Sequence, residues 1–178
     1  ARRAATRRID IWSGACSSGQ ETYTVLMLLK EHFPVLNDWT VRVHATDLST
    51  QMVERTRQGR YSQLEVNRGL PAPLLAKYFD RVGTEWQVKA PLRALVEART
   101  LNLDRPWGDL RLMDIVLMRN VLIYFDLNTK KQILGRIRQQ MRPDGYLFLG
   151  SAETTVNLDD SFARLQVDKA FCYTLGGH

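Results

Sequence analysis

The chain has 178 residues, of which 44% are hydrophobic and 25% are charged, a balance typical of a soluble globular domain. This composition excludes a disordered chain, a collagen-like chain and a disulfide scaffold, and the length corresponds to about one domain. The apolar runs stop far short of the roughly 20 residues that cross a bilayer. We therefore expect no insertion into a membrane. Two cysteines are too few, and too distant in sequence, to form a disulfide framework or a metal site.

The net charge of +6 is concentrated at the start of the chain. Arg2, Arg3, Arg7 and Arg8 supply four positive charges, and no acid accompanies them within residues 1–8. The rest of the chain is nearly balanced, and it lacks the basic, aromatic-flanked patch typical of nucleic-acid binding. We interpret residues 1–8 as a basic linker remnant and residues 9–178 as the folded domain, and we expect no nucleic acid as a partner.

The first sixty residues change hydrophobic period several times, which predicts alternating strands and helices. Such a βαβα unit implies a parallel sheet with right-handed crossovers. Ser49 is a good N-cap for the second helix, and Gly59 is a good residue to end it. The predicted elements are a strand over Arg8–Ser13, a helix from Gln20 to near Pro34, a strand over Thr40–Thr46 and a helix over Thr50–Gln58.

Residues 60–100 interrupt this rhythm. Prolines 71 and 73 predict the start of a short helix carrying Leu74 and Tyr78. We interpret residues 80–96 as a small antiparallel β-subdomain inserted into the main sheet. Its predicted strands are Glu85–Val88 and Leu92–Val96.

The main sheet is predicted to resume at Arg99. Met113–Met118 is a nearly continuous apolar strand, as expected where both faces of a sheet are covered. The pattern as a whole predicts an α/β fold with a mostly parallel sheet and a closing antiparallel hairpin. The remaining predicted elements are a strand over Arg99–Leu103, a helix capped by Asn128 with an apolar face of Ile133, Leu134, Ile137 and Met141, a turn at Pro143–Gly145, a strand over Tyr146–Gly150, and a hairpin of Phe162–Leu165 and Ala170–Leu175.

Polar or small residues follow each predicted parallel strand. Ligands of open α/β sheets bind outside the carboxyl ends of the strands, near the switch in strand order. The candidate site residues are therefore Ser13 to Glu21, Asp47, Asn102 with Leu103, Arg119 with Asn120, and Gly150 to Glu153.

The turn after the first strand contains Gly14 and Gly19 but neither a full G-x-G-x-x-G pattern nor Gly-Lys-Ser/Thr, which disfavours a P-loop enzyme. Glu21 lies two residues after the turn. A carboxylate there repels a phosphate but attracts a cation such as an α-amino group. Alternatively, Glu21 only stabilises the helix dipole, a contribution of about 0.3–1 kcal/mol.

Asp47 ends the second strand, a position that suits a carboxylate hydrogen-bonded to the ribose hydroxyls of a nucleotide-like cofactor. Alternatively, Asp47 is a helix-capping residue beside Ser49. Together, Glu21 and Asp47 describe a site for a ribose and an ammonium without phosphates. S-adenosylmethionine fits this description better than NAD does.

Seven short strings of the sequence are distinctive when taken together. They are Trp12-Ser-Gly-Ala-Cys-Ser-Ser-Gly-Gln-Glu-Thr-Tyr23, Ala45-Thr-Asp47, Gly59-Arg-Tyr61, Leu101-Asn-Leu103, Arg119-Asn-Val-Leu-Ile-Tyr-Phe125, Pro143-Asp-Gly145 and Gly150-Ser-Ala-Glu153. In their order and spacing they resemble the CheR family, the chemotaxis methyltransferases that methylate receptor glutamates, and the resemblance spans residues 9 to about 175. It implies a Rossmann-like S-adenosylmethionine-dependent methyltransferase fold with a seven-stranded sheet.

The resemblance also implies roles for individual residues. The cofactor-binding positions are Gly14 in the first turn, Glu21 on the methionyl ammonium, Asp47 on the ribose, Asn102 and Leu103 around the adenine, and Arg119 and Asn120 along the methionyl side. Tyr124 matches the tyrosine near the methyl group. Alternatively, Arg119 is a surface ion-pair partner and Tyr124 a core residue with a solvated hydroxyl. Gln20 and Thr22 stand where the family often has an acid and a proline. These two differences do not change the alignment of Glu21 with the family's cofactor-binding acid.

The implied reaction needs little acid–base chemistry. A glutamate acceptor has a reference pKa of about 4.3 and is already ionised near neutrality. Catalysis then consists mostly of positioning, which contributes roughly 7–11 kcal/mol in favourable systems. We expect Tyr124 and Arg119, the candidate catalytic residues, to orient the reactants, and we expect S-adenosylhomocysteine as the product.

The resemblance implies partners as well. The expected partners are chemoreceptor cytoplasmic helices. We also expect the protein to be cytoplasmic and monomeric. The family has an N-terminal helical domain, which we expect to be absent from this chain, and we therefore expect the chain to bind the cofactor but to methylate receptors poorly. The β-subdomain is a candidate site for a protein partner, and its short loop between Phe79 and Trp86 resembles members that use no receptor tether. Two other classes stay open: a different S-adenosylmethionine-dependent methyltransferase, and a non-catalytic binding module.

Overall fold

The computed structural model describes residues 2–108 and 110–176. The strands are β1 (Arg8–Gly14), β2 (Thr40–Asp47), β3 (Arg60–Ser62), β4 (Phe79–Val82), β5 (Glu85–Val88), β6 (Val96–Thr100), β7 (Met113–Met118), β8 (Met141–Leu149), β9 (Phe162–Val167) and β10 (Ala170–Leu175). The helices are α1 (Gln20–His32), α2 (Thr50–Gln58), α3 (Gln63–Val66), α4 (Ala72–Tyr78), α5 (Ala90–Arg93) and α6 (Leu127–Gln140), with 3-10 turns at Pro34–Asp38 and Leu122–Tyr124.

The main sheet has the strand order β6-β2-β1-β7-β8-β10-β9. Strands β6, β2, β1, β7 and β8 run parallel, and β10 pairs antiparallel with both β8 and β9. This arrangement confirms the predicted α/β fold with a seven-stranded, mostly parallel sheet and a closing hairpin. The chain order reverses on either side of β1, so the switch point lies between β1 and β7, where ligands of such sheets bind.

Neighbouring residues of β1 point into two different apolar clusters, one on each face of the sheet. Ile11 contacts a cluster that includes Tyr23 and Leu26 of α1. Trp12 belongs to a cluster that includes Ile133 and Ile137 of α6. Both strand residues are fully buried, so the alternation of β1 fixes which helix covers which face.

The predicted caps of α2 are confirmed. The Ser49 hydroxyl accepts a hydrogen bond from the Met52 amide at 3.3 Å, and Gly59 ends the helix in a left-handed conformation with φ of 59°. The N-cap predicted for α6 is wrong. Asp126 occupies that position instead of Asn128, and its Oδ1 accepts from the Thr129 amide at 2.9 Å.

The small antiparallel sheet has the order β3-β5-β4, so it begins at Arg60 and not at the predicted residue 80. The strand predicted over Leu92–Val96 is wrong. Pro91 lies in the first turn of α5, where proline is favoured because no helical hydrogen bond is lost. Val96 then pairs with Val43 of β2 and begins β6 of the main sheet, which therefore starts earlier than the predicted Arg99.

Two details of β8 also differ from prediction. Met141 begins this strand and does not belong to the apolar face of α6. Pro143–Gly145, predicted as a turn, lies within the strand at a register shift, because Met113 pairs with Met141 whereas Ile115 pairs with Tyr146. The residues of β8 between Met141 and Tyr146 that exceed those of β7 therefore form an irregularity within the strand and not a separate turn.

The basic start of the chain is tied to the sheet. Arg8 is the first residue of β1, and both of its hydrogen-bonding nitrogens reach the carboxylate of Asp10. Arg3 forms ion pairs with Asp114 and Asp144. Among the residues that the structure describes, no helix combines the length and the apolar character needed to span a bilayer.

Candidate functional site

The loop that follows β1 turns sharply at the carboxyl edge of the sheet. Ala15 and Ser17 have φ of 53° and 50°, and Gly19, directly before α1, has φ of 84°. A Cβ on Gly19 would lie 2.9 Å from the Thr56 side chain, so only glycine fits there. The loop is held by the Cys16 amide, which donates to the Thr46 carbonyl at 2.9 Å.

Asp47 at the end of β2 connects this loop to α2. Its Oδ2 accepts from the Ser17 amide at 2.8 Å, and its Oδ1 accepts from the Ser49 amide at 2.9 Å. The carboxylate is half-buried and retains lone pairs for further donors. Ser49, and not Asp47, is the N-cap of α2, so the alternative role of Asp47 as the capping residue is wrong. Asp47 contacts the cap residue and presents a carboxylate at the sheet edge.

A cleft of about 360 Å³ opens beside Asp47. Four of the predicted site residues line it together, namely Asp47, Asn102, Leu103 and Tyr124. Its other walls are Ala15, Leu48, Leu101, Val121 and Phe125. The described residues that line the cleft are thus mostly apolar, with one carboxylate and no cation among them, a combination that suits a nucleoside better than a phosphate.

Asn102 and Leu103 contribute to this cleft in different ways. The side-chain oxygen of Asn102 accepts from the Asp104 amide at 2.9 Å, which shapes the loop after β6. Leu103 is only 7% exposed and contacts the core. Its carbonyl accepts from Trp107 Nε1 at 3.2 Å and from Arg136 Nη1 at 2.9 Å.

Glu21 and Arg119 lie at a second cavity, a groove of about 700 Å³ between α1 and the sheet. Arg119 Nη1 donates to Glu21 Oε1. The side chains are 48% and 28% exposed, respectively. The ion pair foreseen as an alternative role of Arg119 is therefore present, and its partner is another candidate residue.

The other predicted positions are structural neighbours of these side chains. Gly14 is buried at the end of β1, where a Cβ would lie 2.4 Å from Cε of Met118. Asn120 is exposed and has φ of 59°. Tyr124 is 80% exposed, so its alternative interpretation as a core residue is wrong.

Comparison with known proteins identifies the family. Residues 1–171 match the family model described as CheR methyltransferase, SAM binding domain. The chain belongs to the CheR family.

Two relatives and one solved structure are informative. The chain is 42% identical over 172 residues to chemotaxis protein methyltransferase 1 of Pseudomonas aeruginosa and 41% identical over 172 residues to chemotaxis protein methyltransferase Cher2 of Pseudomonas putida. Each alignment covers 94% of this chain and 62% of the relative, so the chain spans less than two thirds of their length. The glycopeptide N-methyltransferase MtfA, solved with sinefungin, superposes with a TM-score of 0.51 at 14% identity, over 94% of this chain and 59% of that one. This last likeness shows the methyltransferase fold alone.

The matched domain takes its description from S-adenosylmethionine, and the residues predicted to contact this cofactor are divided between the Asp47 cleft and the groove of Glu21 and Arg119. Asp47 offers a carboxylate to ribose hydroxyls, and the leucines of the cleft offer apolar walls to a base. Glu21 and Arg119 offer one negative and one positive charge, which complement an ammonium and a carboxylate.

Cys16 is the cysteine of the first loop, where a reactive thiol would suggest covalent chemistry. It is 5% exposed, and burial raises the pKa of its thiol to about 11. Because the thiolate is the reactive form, Cys16 is a packing residue.

Sequence reasoning placed Glu153 at a strand end but gave it no role. Its carboxylate accepts from several backbone amides of the Arg119–Tyr124 segment. The sequence signal was its place in the Gly150-Ser-Ala-Glu153 string, which does not show which donors it would meet.

Proposed function

We propose that this chain binds S-adenosylmethionine with the nucleoside in the Asp47 cleft and the methionyl part at Glu21 and Arg119, and that it serves methyl transfer to glutamate carboxylates of chemoreceptor cytoplasmic domains. The product would be a glutamate methyl ester. The observation that carries the proposal is the grouping of Asp47, Asn102, Leu103 and Tyr124 around one cleft at the carboxyl edge of the sheet. The chemotaxis methyltransferase names of the relatives support the receptor as the substrate.

Most of the candidate residues have a binding task. Asp47 accepts hydrogen bonds from the ribose while its other contacts hold the loop at Ser17. Asn102 and Leu103 contact the base. Glu21 binds the methionyl ammonium, and Arg119 binds the methionyl carboxylate, so that the ion pair between them exchanges partners with the ligand.

The bound cofactor supplies an electrophilic methyl group on a positively charged sulfur. The acceptor glutamate is ionised near neutrality and needs no base to become a nucleophile. The chain's own contribution is therefore orientation and exclusion of water. Tyr124 stands at the rim of the cleft with an exposed hydroxyl, which donates a hydrogen bond to the acceptor carboxylate and directs it towards the cleft.

Receptor recognition is proposed to involve regions outside this chain, in keeping with the 62% of the relatives' length that it spans. These regions would include an N-terminal helical domain. The small sheet β3-β5-β4 is proposed as a contact for a further protein partner, because Asp80, Arg81 and Val82 on its edge strand β4 are exposed. We expect the 178 residues alone to bind the cofactor and to methylate receptors poorly.

The test uses cofactor carrying a radiolabelled methyl group, the protein with any flanking segments retained, and receptor cytoplasmic fragments. We expect label in the receptor that mild alkali releases as methanol, because carboxylate esters hydrolyse under those conditions. Asp47→Ala should abolish most of this labelling. Alkali-stable label, or label only in small molecules, would contradict the receptor-glutamate proposal.

A further inference from the structure

Glu153 lies after β8, and its carboxylate is surrounded by backbone N–H groups. Oε1 accepts from the amides of Val121 at 2.9 Å and Leu122 at 2.7 Å. Oε2 accepts from the amides of Asn120 at 2.8 Å and Gly150 at 2.7 Å. A longer contact of 3.4 Å joins Oε1 to the Ile123 amide. One side chain thus satisfies most of the donors of a segment about thirty residues away in sequence.

The segment that Glu153 binds begins with a left-handed residue and continues into a tight turn. Asn120 has φ of 59°, a conformation that asparagine adopts more readily than most residues with a Cβ. The following residues form a 3-10 turn, in which the Tyr124 amide donates to the Val121 carbonyl at 3.2 Å. The first amides of a helical turn have no partner within it. Successive N–H groups that converge in this way form an anion-binding concavity, and the Glu153 carboxylate occupies it.

Gly150 makes the approach of this carboxylate possible. A Cβ at position 150 would lie 2.7 Å from Glu153 Oε2 and 3.0 Å from the Asn120 amide nitrogen. The Glu153 amide in turn donates to the Gly150 carbonyl at 3.0 Å, which closes the turn. The Gly150-Ser-Ala-Glu153 string therefore forms a short loop that delivers a negative charge to the Asn120 segment.

Side-chain packing does little to hold the residues on either side of this segment. Arg119 is half-exposed and Tyr124 is 80% exposed, so neither is fixed by burial. Arg119 points to Glu21, whereas Tyr124 lines the Asp47 cleft. The relative position of the two side chains therefore depends on the backbone between them as well as on the Arg119–Glu21 ion pair, and Glu153 holds that backbone.

We propose that Glu153 is a positioning residue for the cofactor and acceptor site, acting through the backbone of Asn120–Leu122. The proposal rests on the function proposed above, in which Arg119 and Tyr124 contact the reactants. Glu153 does not act as a base in this arrangement, because its two oxygens already accept from four close amides. Its negative charge stabilises the segment more strongly than a neutral amide would, since hydrogen bonds to ionised acceptors are the stronger kind.

The test compares Glu153→Gln with Glu65→Gln in the protein with any flanking segments retained. Glu65 is a matched control, because its carboxylate also accepts from a backbone amide, that of Ser62 at 2.9 Å, but it lies in α3, outside the Asp47 cleft. Two quantities are measured: calorimetric affinity for S-adenosylhomocysteine, and the ¹H–¹⁵N resonances of Asn120, Val121 and Leu122. We expect Glu153→Gln to lower the affinity for S-adenosylhomocysteine on the order of tenfold and to shift all three resonances. Glu65→Gln should change neither.

Other outcomes would overturn the proposal. Wild-type affinity in Glu153→Gln removes any role in positioning, and weakened binding with unchanged resonances would indicate direct contact with the ligand. If Glu153→Gln does not fold, Glu153→Asp retains the charge but cannot reach all four amides. That variant must then show shifted resonances and weaker binding, or the proposal fails. These readouts do not depend on receptor methylation, so a failed receptor assay leaves them informative.

Discussion

Arg119 Nη1 donates to Glu21 Oε1, and this ion pair joins the end of β7 to the first turn of α1. The two residues carry opposite charges, just as the ammonium and the carboxylate of an α-amino acid do. An amino-acid group entering between them replaces one ion pair by two. The pair is therefore complementary to the methionyl part of the proposed cofactor.

Glu21→Gln should lower the affinity for S-adenosylhomocysteine on the order of tenfold, because the ammonium of the ligand loses a charge-assisted hydrogen bond. It should leave the affinity for 5′-methylthioadenosine unchanged, since that nucleoside has no amino-acid group. Calorimetric titration of both ligands checks the prediction. Glu54→Gln, an exposed carboxylate on α2, is the control. Equal losses for the two ligands would place Glu21 away from the ammonium.

Asp47→Ala should lower the affinity for both S-adenosylhomocysteine and 5′-methylthioadenosine, in contrast to Glu21→Gln. The substitution removes the acceptor for ribose hydroxyls and also releases the Ser17 and Ser49 amides. We expect at least a tenfold loss for 5′-methylthioadenosine and for S-adenosylhomocysteine alike. The control is Asp80→Ala, an exposed carboxylate on β4. If Asp47→Ala retained its affinity for 5′-methylthioadenosine, Asp47 would not be the residue that binds the ribose.

The sequence predicts the positions of the first strands and helices and the ends of α2. The period changes around β1, α1 and β2 are strong, and Ser49 and Gly59 mark both ends of α2. The run from Leu92 to Val96 misleads because it is apolar whichever element contains it. Leu92 is buried on a short helix, whereas Val96 begins a strand of the main sheet. Hydrophobicity alone cannot place the boundary between them.

The candidate site was predictable as residue types at strand ends, but its contacts were not. Glu21 and Arg119 were predicted to bind the same part of the cofactor, whereas their ion pair depends on the distance between two distant segments. The position of Glu153 depends on the absence of a Cβ at Gly150 and on the left-handed Asn120. Such relationships arise from tertiary geometry, which propensity and spacing do not contain.

Tyr124→Phe should lower the rate of methyl transfer without changing cofactor affinity or stability. The hydroxyl is proposed to orient the acceptor, and the side chain is 80% exposed, so its removal costs little in packing. Single-turnover rates with a receptor fragment, together with calorimetry and thermal unfolding, separate these quantities. Ile123→Val, a change at the neighbouring exposed residue, is the control. An unchanged rate in Tyr124→Phe would exclude the hydroxyl from the mechanism.

Arg3 links the start of the chain to β8 through its ion pair with Asp144. Hydrogen bonding from the Arg3 guanidinium holds the pKa of Asp144 below its ordinary value. The folded protein therefore binds fewer protons at this group than the unfolded chain does near pH 4. The resulting stability is present above the ordinary aspartate pKa of about 3.9 and is lost as the pH falls through the folded-state pKa.

Arg3→Ala should consequently lower the free energy of unfolding at pH 7 by about 0.5–1 kcal/mol. It should also flatten the decline in stability between about pH 5 and pH 3, since the pKa of Asp144 would return towards its ordinary value. Urea unfolding at a series of pH values, followed by circular dichroism, measures both effects. Arg7→Ala removes an equal charge from an exposed side chain of the same segment and should retain the wild-type pH dependence. If the two variants give the same curve, the charge of the segment as a whole would account for the stability, and the specific Arg3–Asp144 contact would not.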